Sequence, residues 1–186
     1  CLLSGQTVNA QNFRTLRDVK VNETVLDLSQ TDCKVIPRNA MHSCHRLTSL
    51  TLPSKLDSIG TQAFFACDGI SGKLHFPATT RVVDASAFNS CKQLTELVID
   101  GSTRIGAFAF ANCRTLREVR LSAVVPPVCA DNAFDGIDLS RVKLIVPAKA
   151  KKAYRNAPGW RNFFSRYETE NVCDPENILV PRPLKL

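Results

Sequence analysis

The sequence predicts an α/β fold, a right-handed solenoid of short repeated units with a parallel β-sheet on one side and short helical or 3₁₀ returns on the other. The first observation behind this prediction is an Ala-Phe dipeptide that recurs every 22 to 24 residues. The second is an alternating apolar pair that follows each dipeptide. Apolar residues make up 44% of the chain, enough for a core, but no apolar run reaches the length that crosses a bilayer. Because one such unit cannot bury its own apolar face, neighbouring units must stack.

Each unit places a cysteine three residues after the Phe. The dipeptides are Ala40-Met41, Ala63-Phe64, Ala87-Phe88, Ala109-Phe110 and Ala133-Phe134, and the cysteines are Cys44, Cys67, Cys91 and Cys113. Ile137 takes the cysteine position of the last unit. Cysteine is small and readily buried, and the chain has no C-x-x-C pair. We therefore interpret these cysteines as a buried, reduced ladder.

The alternating pairs predict one short strand in each unit. They are Leu26/Leu28, Leu50/Leu52, Leu74/Phe76, Leu97/Ile99, Val119/Leu121 and Leu144/Val146. Alternate residues of a strand point to the same side, so each pair faces the core. Several units also carry an apolar residue shortly before the dipeptide, namely Ile36, Ile59, Val83 and Ile105. A unit of this length and pattern is typical of a leucine-rich repeat, and about six units are present.

The segments "IPRNAMHSCHRLTSLTLP" and "IGTQAFFACDGISGKLHFP" follow the pattern Ile-x₃-Ala-Phe-x₂-Cys-x₂-Leu, then Leu-x-Leu and Pro. Over about residues 2 to 164 the chain resembles the BspA-type leucine-rich repeat family. It departs from the pattern at Met41, at Ile137 and in "DGISGK", which carries an insertion after Cys67. The resemblance implies adhesion to host or neighbouring-cell proteins and a secreted or cell-surface location.

We divide the chain into an N-terminal degenerate repeat at 1–35, leucine-rich repeats at 36–146, a C-terminal cap at 147–164 and a tail at 165–186. The cap prediction depends on "AKAKKAYRNA", which favours a helix that Pro158-Gly159 would end. Four aromatic residues would supply an apolar lid over the last unit, namely Tyr154, Trp160, Phe163 and Phe164.

Four cysteines fall outside the ladder: Cys1, Cys33, Cys129 and Cys173. In an oxidising compartment a Cys129–Cys173 bond would tie the tail down. Connectivity cannot be read from a sequence, so this bond and any bond of Cys1 or Cys33 stay open. A lipidated N-terminal cysteine is a second interpretation of Cys1, and we favour a cysteine in the first strand.

The sequence shows none of the common catalytic motifs, such as a Gly-rich phosphate loop, G-x-S-x-G or H-E-x-x-H. The "HSCH" segment at 42–45 has no second pair of ligands to complete a zinc site. We therefore expect a protein that is not an enzyme and that holds no cofactor or metal.

Residues between the inward pairs point to the exposed side of the sheet, which we call the strand face. Its candidate binding residues are Thr51, His75, Glu96, Val98, Glu118, Arg120 and Ile145. We expect Val98 and Ile145 to be exposed beside Arg120, because aliphatic and Arg side chains are common in protein-binding hot spots. The alternative is a merely solubilising surface. No aromatic stripe alternates with basic residues, so we do not expect nucleic-acid binding.

Residues 139–167 carry eight Lys or Arg and no acid, so their charge is +8 and the rest of the chain sums to −1, which gives the net +7. Lys149, Lys151, Lys152 and Arg155 are the candidates for a basic patch. It is either a solvated surface or a site for glycans or other polyanions, whose binding would depend strongly on salt.

Together these observations predict a monomeric, non-enzymatic binding module that uses the strand face. The family resemblance implies that it is an adhesion module and that its partner is an extracellular or host-surface macromolecule, above all a protein. Any membrane anchor would lie outside this segment. The alternatives are a passive spacer in a larger surface protein, and glycan or polyanion binding through the basic patch.

Overall fold

The structure is a computed structural model and describes residues 24–164. As the repeat predicted, it is a parallel β solenoid, and the described residues form about five turns. Ten strands follow one another along the chain, and they alternate between two sheets up to β9. The described residues thus form one stack of coils around a continuous apolar core.

The first sheet contains the predicted strands, which run parallel. They are β1 (Val25–Asp27), β3 (Ser49–Thr51), β5 (Ser71–Phe76), β7 (Gln93–Ile99), β9 (Glu118–Leu121) and β10 (Lys143–Ile145). Equivalent residues lie side by side, so that Leu74 pairs with Leu97 and Leu97 with Val119. The inward pairs are buried from Leu26 to Leu121, as predicted. The last pair, Leu144/Val146, is half-buried.

The first sheet is interrupted between β3 and β5, where the sequence carries its insertion. Gly72 has a φ of +76°, which glycine adopts readily, and the register shifts between Gly72 and Lys73. Ser71 still bridges the gap, because its N–H and its Oγ–H both donate to the carbonyl of Thr48, at 3.0 and 3.1 Å. The insertion therefore becomes a bulge rather than a break in the solenoid.

A second parallel sheet, which was not predicted, lies on the opposite side of each coil. Its strands are β2 (Val35–Ile36), β4 (Ser58–Ile59), β6 (Val82–Val83) and β8 (Arg104–Ile105). The second residue of each strand is the apolar residue noted before the dipeptide, and all four are buried. Two residues are too few to show an alternating pattern, so no strand could be predicted here.

The predicted helical or 3₁₀ returns are wrong for the first four repeats, where the return consists of turns. The last repeat has turns as well, followed by a 3₁₀ helix (Leu139–Arg141) before β10. In the return at 62–67, the N–H groups of Gln62, Phe64 and Ala66 donate to carbonyls of the next coil at 2.7–3.0 Å. The intervening N–H groups donate three residues back. In a helix every backbone N–H would donate within its own coil, whereas here every second N–H donates to the neighbouring coil. Gln62 and Ala66 accordingly have positive φ, at 56° and 54°.

Equivalent side chains form ladders through the core. Phe64, Phe88, Phe110 and Phe134 stack with ring centroids 5.0, 5.6 and 5.5 Å apart. Beside them lie Cys67, Cys91 and Cys113, all fully buried, with Cys44 and Ile137 half-buried at the two ends.

The cysteines of this ladder are free thiols, which confirms their interpretation as a reduced core ladder. Each buried thiol donates to a carbonyl of the preceding coil, for example Cys91 Sγ to Phe64 O at 3.4 Å and Cys113 Sγ to Phe88 O at 3.3 Å. Burial raises the pKa of Cys113 to about 12. A thiol with such a pKa is almost entirely protonated at neutral pH and therefore unreactive.

Two of the cysteines that seemed to fall outside the ladder belong to the core as well. Cys129 lies four residues before Ala133, as Ile105 lies four before Ala109, and it pairs with Ile105 at the end of the second sheet. Cys33 lies 23 residues, one repeat period, before Leu56, and both side chains are buried in the core. Cys129 is a free thiol here. Cys1 and Cys173 lie outside the described residues, so the Cys129–Cys173 bond stays a prediction.

Residues 147–164, which we call the terminal segment, pack against the last coil. They form a 3₁₀ turn (Ala148–Ala150), the predicted helix, here α1 (Lys151–Asn156), and a second 3₁₀ turn (Trp160–Phe163). Trp160 and Phe163 lie against Phe134, with ring centroids 5.9 and 5.0 Å away. Trp160 Nε1–H donates to Pro127 O at 2.7 Å, and Tyr154 Oη–H donates to Ala123 O at 2.9 Å.

Candidate binding surface

The strand face carries most of the candidate binding residues at the surface, but to different degrees. Thr51, His75 and Arg120 are exposed, and Glu96, Glu118 and Ile145 are half-buried. In the sheet, Arg120 pairs with Val98 of β7 and with Ile145 of β10. The structure therefore brings the predicted aliphatic–Arg row together.

The expectation that Val98 is exposed is wrong, because only 7% of this residue is accessible. Val98 lies in register between His75 on β5 and Arg120 on β9. Both neighbours have longer side chains that rise from the same side of the sheet, and they shield the shorter valine from water. Val98 supports the surface from below rather than offering a contact of its own.

Charged side chains of the strand face are held in place by partners on the same face. Arg120 Nη2 donates to Glu118 Oε1 at 2.7 Å, and Lys73 Nζ lies 3.7 Å from Glu96 Oε1. His75 Nε2 lies 2.5 Å from Asp100 Oδ2. Lys73, His75 and Arg120 thus each stand beside an acid, and the surface is mixed in charge.

Asp100 also belongs to the strand face, although it is not among the predicted binding residues. Asp100 follows β7 directly and accepts hydrogen bonds from two coils, one shared with His75 and one from Ser122 Oγ at 3.4 Å. Alternation places residues 98 and 100 on the same side of an extended segment, so the signal was present in the spacing. Asp100 extends the polar surface beyond the ends of the strands.

The basic patch lies on the terminal segment. Lys149, Lys151, Lys152 and Arg155 are all exposed. The guanidinium of Arg155 covers the ring of Phe164, with 5.5 Å between its Cζ and the ring centroid. No ion pair among residues 24–164 involves these four side chains.

The two histidines of "HSCH" contact the next coil. The ring of His42 stacks on Phe65 at 5.0 Å, and His45 Nδ1 lies 2.8 Å from Asp68 Oδ1. Within residues 24–164, no three His, Cys, Asp or Glu side chains form a group that could hold a metal ion. A shallow groove of about 450 Å³ lies on the second sheet, between Val35, Arg81 and neighbouring residues.

A sequence model of the BspA-type leucine-rich repeat region matches residues 14–157 in six copies, which is more than half of the chain. The chain belongs to the BspA-type leucine-rich repeat family. Its Ala-Phe, Cys and Leu-x-Leu positions form the core described above. A comparison with curated proteins finds no match.

Membership of the BspA-type family indicates a protein-interaction or surface module. Solenoids of this kind are typically scaffolds without enzymatic activity, and BspA-type proteins are typically secreted by bacteria or displayed on their surface. No helix within residues 24–164 is long and apolar enough to cross a membrane.

Proposed function

We propose that the chain is a secreted or cell-surface adhesion module that binds a protein of the host or of a neighbouring cell through its strand face. The observation that carries this proposal is an open sheet surface whose charged side chains are already held by neighbours, centred on Arg120. The extended sheet of a repeat protein is the surface that such proteins commonly use for binding. The partner stays a class rather than a named protein, because a fold does not determine a ligand.

Fixed side chains favour binding because less conformational entropy is lost when the partner arrives. Immobilising one long side chain costs roughly 0.5–1.5 kcal/mol at an interface. The 2.7 Å hydrogen bond to Glu118 restricts Arg120 in the free protein, and Lys73 is restricted by Glu96. Part of that cost is therefore met before binding.

Arg120 also has the surroundings of a hot spot. Arg is enriched among the residues that dominate interface energies, particularly where neighbours exclude water. Val98 on one side is buried, and Ile145 on the other side is half-buried. A partner that covers this row would remove Arg120 from water while it stays paired with Glu118.

We further propose that the terminal segment caps the solenoid. An open stack must cover its last core layer. Trp160 and Phe163 lie against Phe134, the last Phe of the ladder, and Tyr154 packs on Trp160 with ring centroids 5.8 Å apart. The aromatic residues of this segment therefore serve as a lid in our proposal, not as a ligand platform.

The test is binding to an array of extracellular-matrix proteins, host glycoproteins and acidic glycans at low and high salt. Arg120→Glu is compared with Arg104→Glu, which makes the same charge change at an exposed position of the second sheet. Exposed ion pairs contribute little to stability, so both variants should fold, and circular dichroism checks this.

We expect a protein hit that persists at high salt, that Arg120→Glu abolishes and that Arg104→Glu leaves intact. Equal binding by all three proteins would refute the strand face as the binding surface. No binding anywhere on the array would favour a passive spacer, in which the paired charges only keep the surface soluble.

A further inference from the structure

Residues 141–161, which include most of the terminal segment, differ from the coils before them in how their charges are arranged. Residues 24–138 carry equal numbers of Lys or Arg and of Asp or Glu, and some of these cations pair with acids across coils, as in Lys55–Asp32 and Arg81–Asp57. Residues 141–161 expose seven cations: Arg141, Lys143, Lys149, Lys151, Lys152, Arg155 and Arg161. Of these, only Arg161 has an acidic partner among the described residues, with its Nη2 3.4 Å from Asp131 Oδ1. Positive charge therefore accumulates here without compensation.

Four of these cations are brought together by the fold of the segment. Ala150 and Tyr154 point into the core, so the residues between and beside them face water. Helical residues three or four apart are neighbours, which places Lys151 next to Arg155. Lys149 precedes them in the adjoining 3₁₀ turn and Lys152 follows Lys151 in α1. These four side chains form the basic patch.

This arrangement opposes the stability of the segment that carries it. Like charges four residues apart on a helix repel each other and destabilise it. Lys151 and Lys152 also occupy the first turn of α1, where the helix dipole disfavours cations, and no acid lies in that turn. Violations of local rules of this kind are expected where a surface serves a function. An anionic partner would remove both conflicts.

We propose that the basic patch binds an acidic glycan, a polysaccharide that carries sulfate or carboxylate groups. This inference goes beyond the proposed function, because it concerns another surface and another class of ligand. A chain of regularly spaced anions can contact Lys149, Lys151, Lys152 and Arg155 together, whereas a single anion would contact one or two of them.

Two other polyanions fit the patch less well. Single-stranded nucleic acids need exposed aromatic rings on which bases stack. In the terminal segment Tyr154, Trp160 and Phe163 are buried, and Arg155 covers Phe164. A membrane surface needs an amphipathic helix with an apolar side free to insert, but α1 turns Tyr154 into the core. An acidic glycan requires neither feature.

The experiment measures binding of the whole chain to heparin, a sulfated polysaccharide, over a range of salt concentrations. The triple variant Lys149→Gln/Lys151→Gln/Lys152→Gln is compared with Lys34→Gln/Lys92→Gln/Arg114→Gln. Both variants lower the net charge by three, and the control positions are exposed cations on the coils. Circular dichroism establishes that each variant is folded.

We expect the patch variant to bind heparin with a Kd on the order of tenfold to a hundredfold higher, since each lost ionic contact weakens binding by roughly twofold to fivefold. The control variant should stay within about twofold of the unmodified chain, and binding should weaken steeply with salt. Arg120→Glu should leave heparin binding intact, which separates this proposal from the strand-face proposal.

Three results would overturn the proposal. The first is equal loss in both triple variants, which would mean that only the net charge matters. The second is that the unmodified chain binds neither heparin nor hyaluronan, an acidic glycan that carries carboxylates alone. The third is tighter binding to single-stranded DNA, or to vesicles of phosphatidylcholine and phosphatidylserine, which would assign the patch to another class of polyanion.

Discussion

Replacing Trp160 tests whether the terminal segment holds the end of the solenoid closed. Trp160 is the single tryptophan of the chain, and it is fully buried. Its ring lies against Phe134, Tyr154 and Phe163, and its Nε1–H donates to the carbonyl of Pro127 at 2.7 Å. One side chain therefore joins the last coil, α1 and the final 3₁₀ turn.

The two contributions of Trp160 can be separated by two variants. Replacing a buried Trp or Phe with alanine costs roughly 3–5 kcal/mol through lost packing and the remaining cavity. Leaving the buried Pro127 carbonyl without a donor costs about 1–3 kcal/mol. Trp160→Ala suffers both losses, so we expect a decrease of about 5 kcal/mol in the free energy of unfolding. Trp160→Phe keeps a ring and mainly loses the donor, and we expect a decrease of about 2 kcal/mol.

The assay is urea unfolding followed by far-ultraviolet circular dichroism in all three proteins. Fluorescence of the unmodified chain reports on the terminal segment alone, because Trp160 is its only tryptophan. If the terminal segment stabilises the solenoid, the fluorescence of Trp160 should change at a urea concentration no higher than the one at which the circular dichroism signal is lost. If Trp160→Ala lowers the free energy of unfolding by less than about 1 kcal/mol, the terminal segment does not cap the core, and the reasoning from burial fails.

Three further predictions concern the repeats. Burial raises the pKa of Cys113 from its ordinary 9.0 to about 12. The contribution of this shift to the free energy of unfolding is therefore complete below pH 9 and is lost as the pH rises towards 12. Unfolding curves at several alkaline pH values should show a shallower fall in stability for Cys113→Ala than for the unmodified chain. In Gly101→Ala the new Cβ would lie 2.5 Å from Ala78 O and 3.1 Å from Ala78 Cα. We therefore expect urea unfolding to show a decrease of about 1–3 kcal/mol in the free energy of unfolding. Unchanged stability would contradict the close packing of the coils. Ala66 has a φ of 54°, which Asn tolerates better than Ala, and Asn112 has a similar positive φ at the equivalent position of a later coil. Ala66→Asn should therefore increase the free energy of unfolding by about 1 kcal/mol, measured as a higher urea midpoint. A lower midpoint would refute this explanation.

Predictions from the sequence succeeded at positions where the same residue type occupies the equivalent core position of each coil. The Ala-Phe, Cys and Leu-x-Leu positions are buried in register because each coil must cover its neighbour with the same shape. The insertion after Cys67 was visible for the same reason, since it interrupts a regular period, and it became the bulge at Gly72. The direction in which the coils wind stays a prediction.

Predictions failed where the environment of a residue depends on neighbours in other coils. Val98 has the spacing of an exposed residue, but the longer side chains of His75 and Arg120 in adjacent strands cover it. Cys129 appeared unassigned, although its distance to Ala133 is the spacing that Ile105 has to Ala109. That spacing was the available signal, and only the second sheet gave it a meaning.

The sequence by itself determined the solenoid, its period and its inward residues, because stacking identical units leaves an apolar pattern that repeats along the chain. The tertiary structure alone decided that the returns are turns with a second sheet, because their hydrogen bonds run between coils and leave no local periodicity. It also decided which surface charges are paired. The acids that neutralise Lys55 and Arg81 come from residues one coil, 23 or 24 positions, earlier in the chain, whereas the basic patch lies beyond the last coil and receives no such partner.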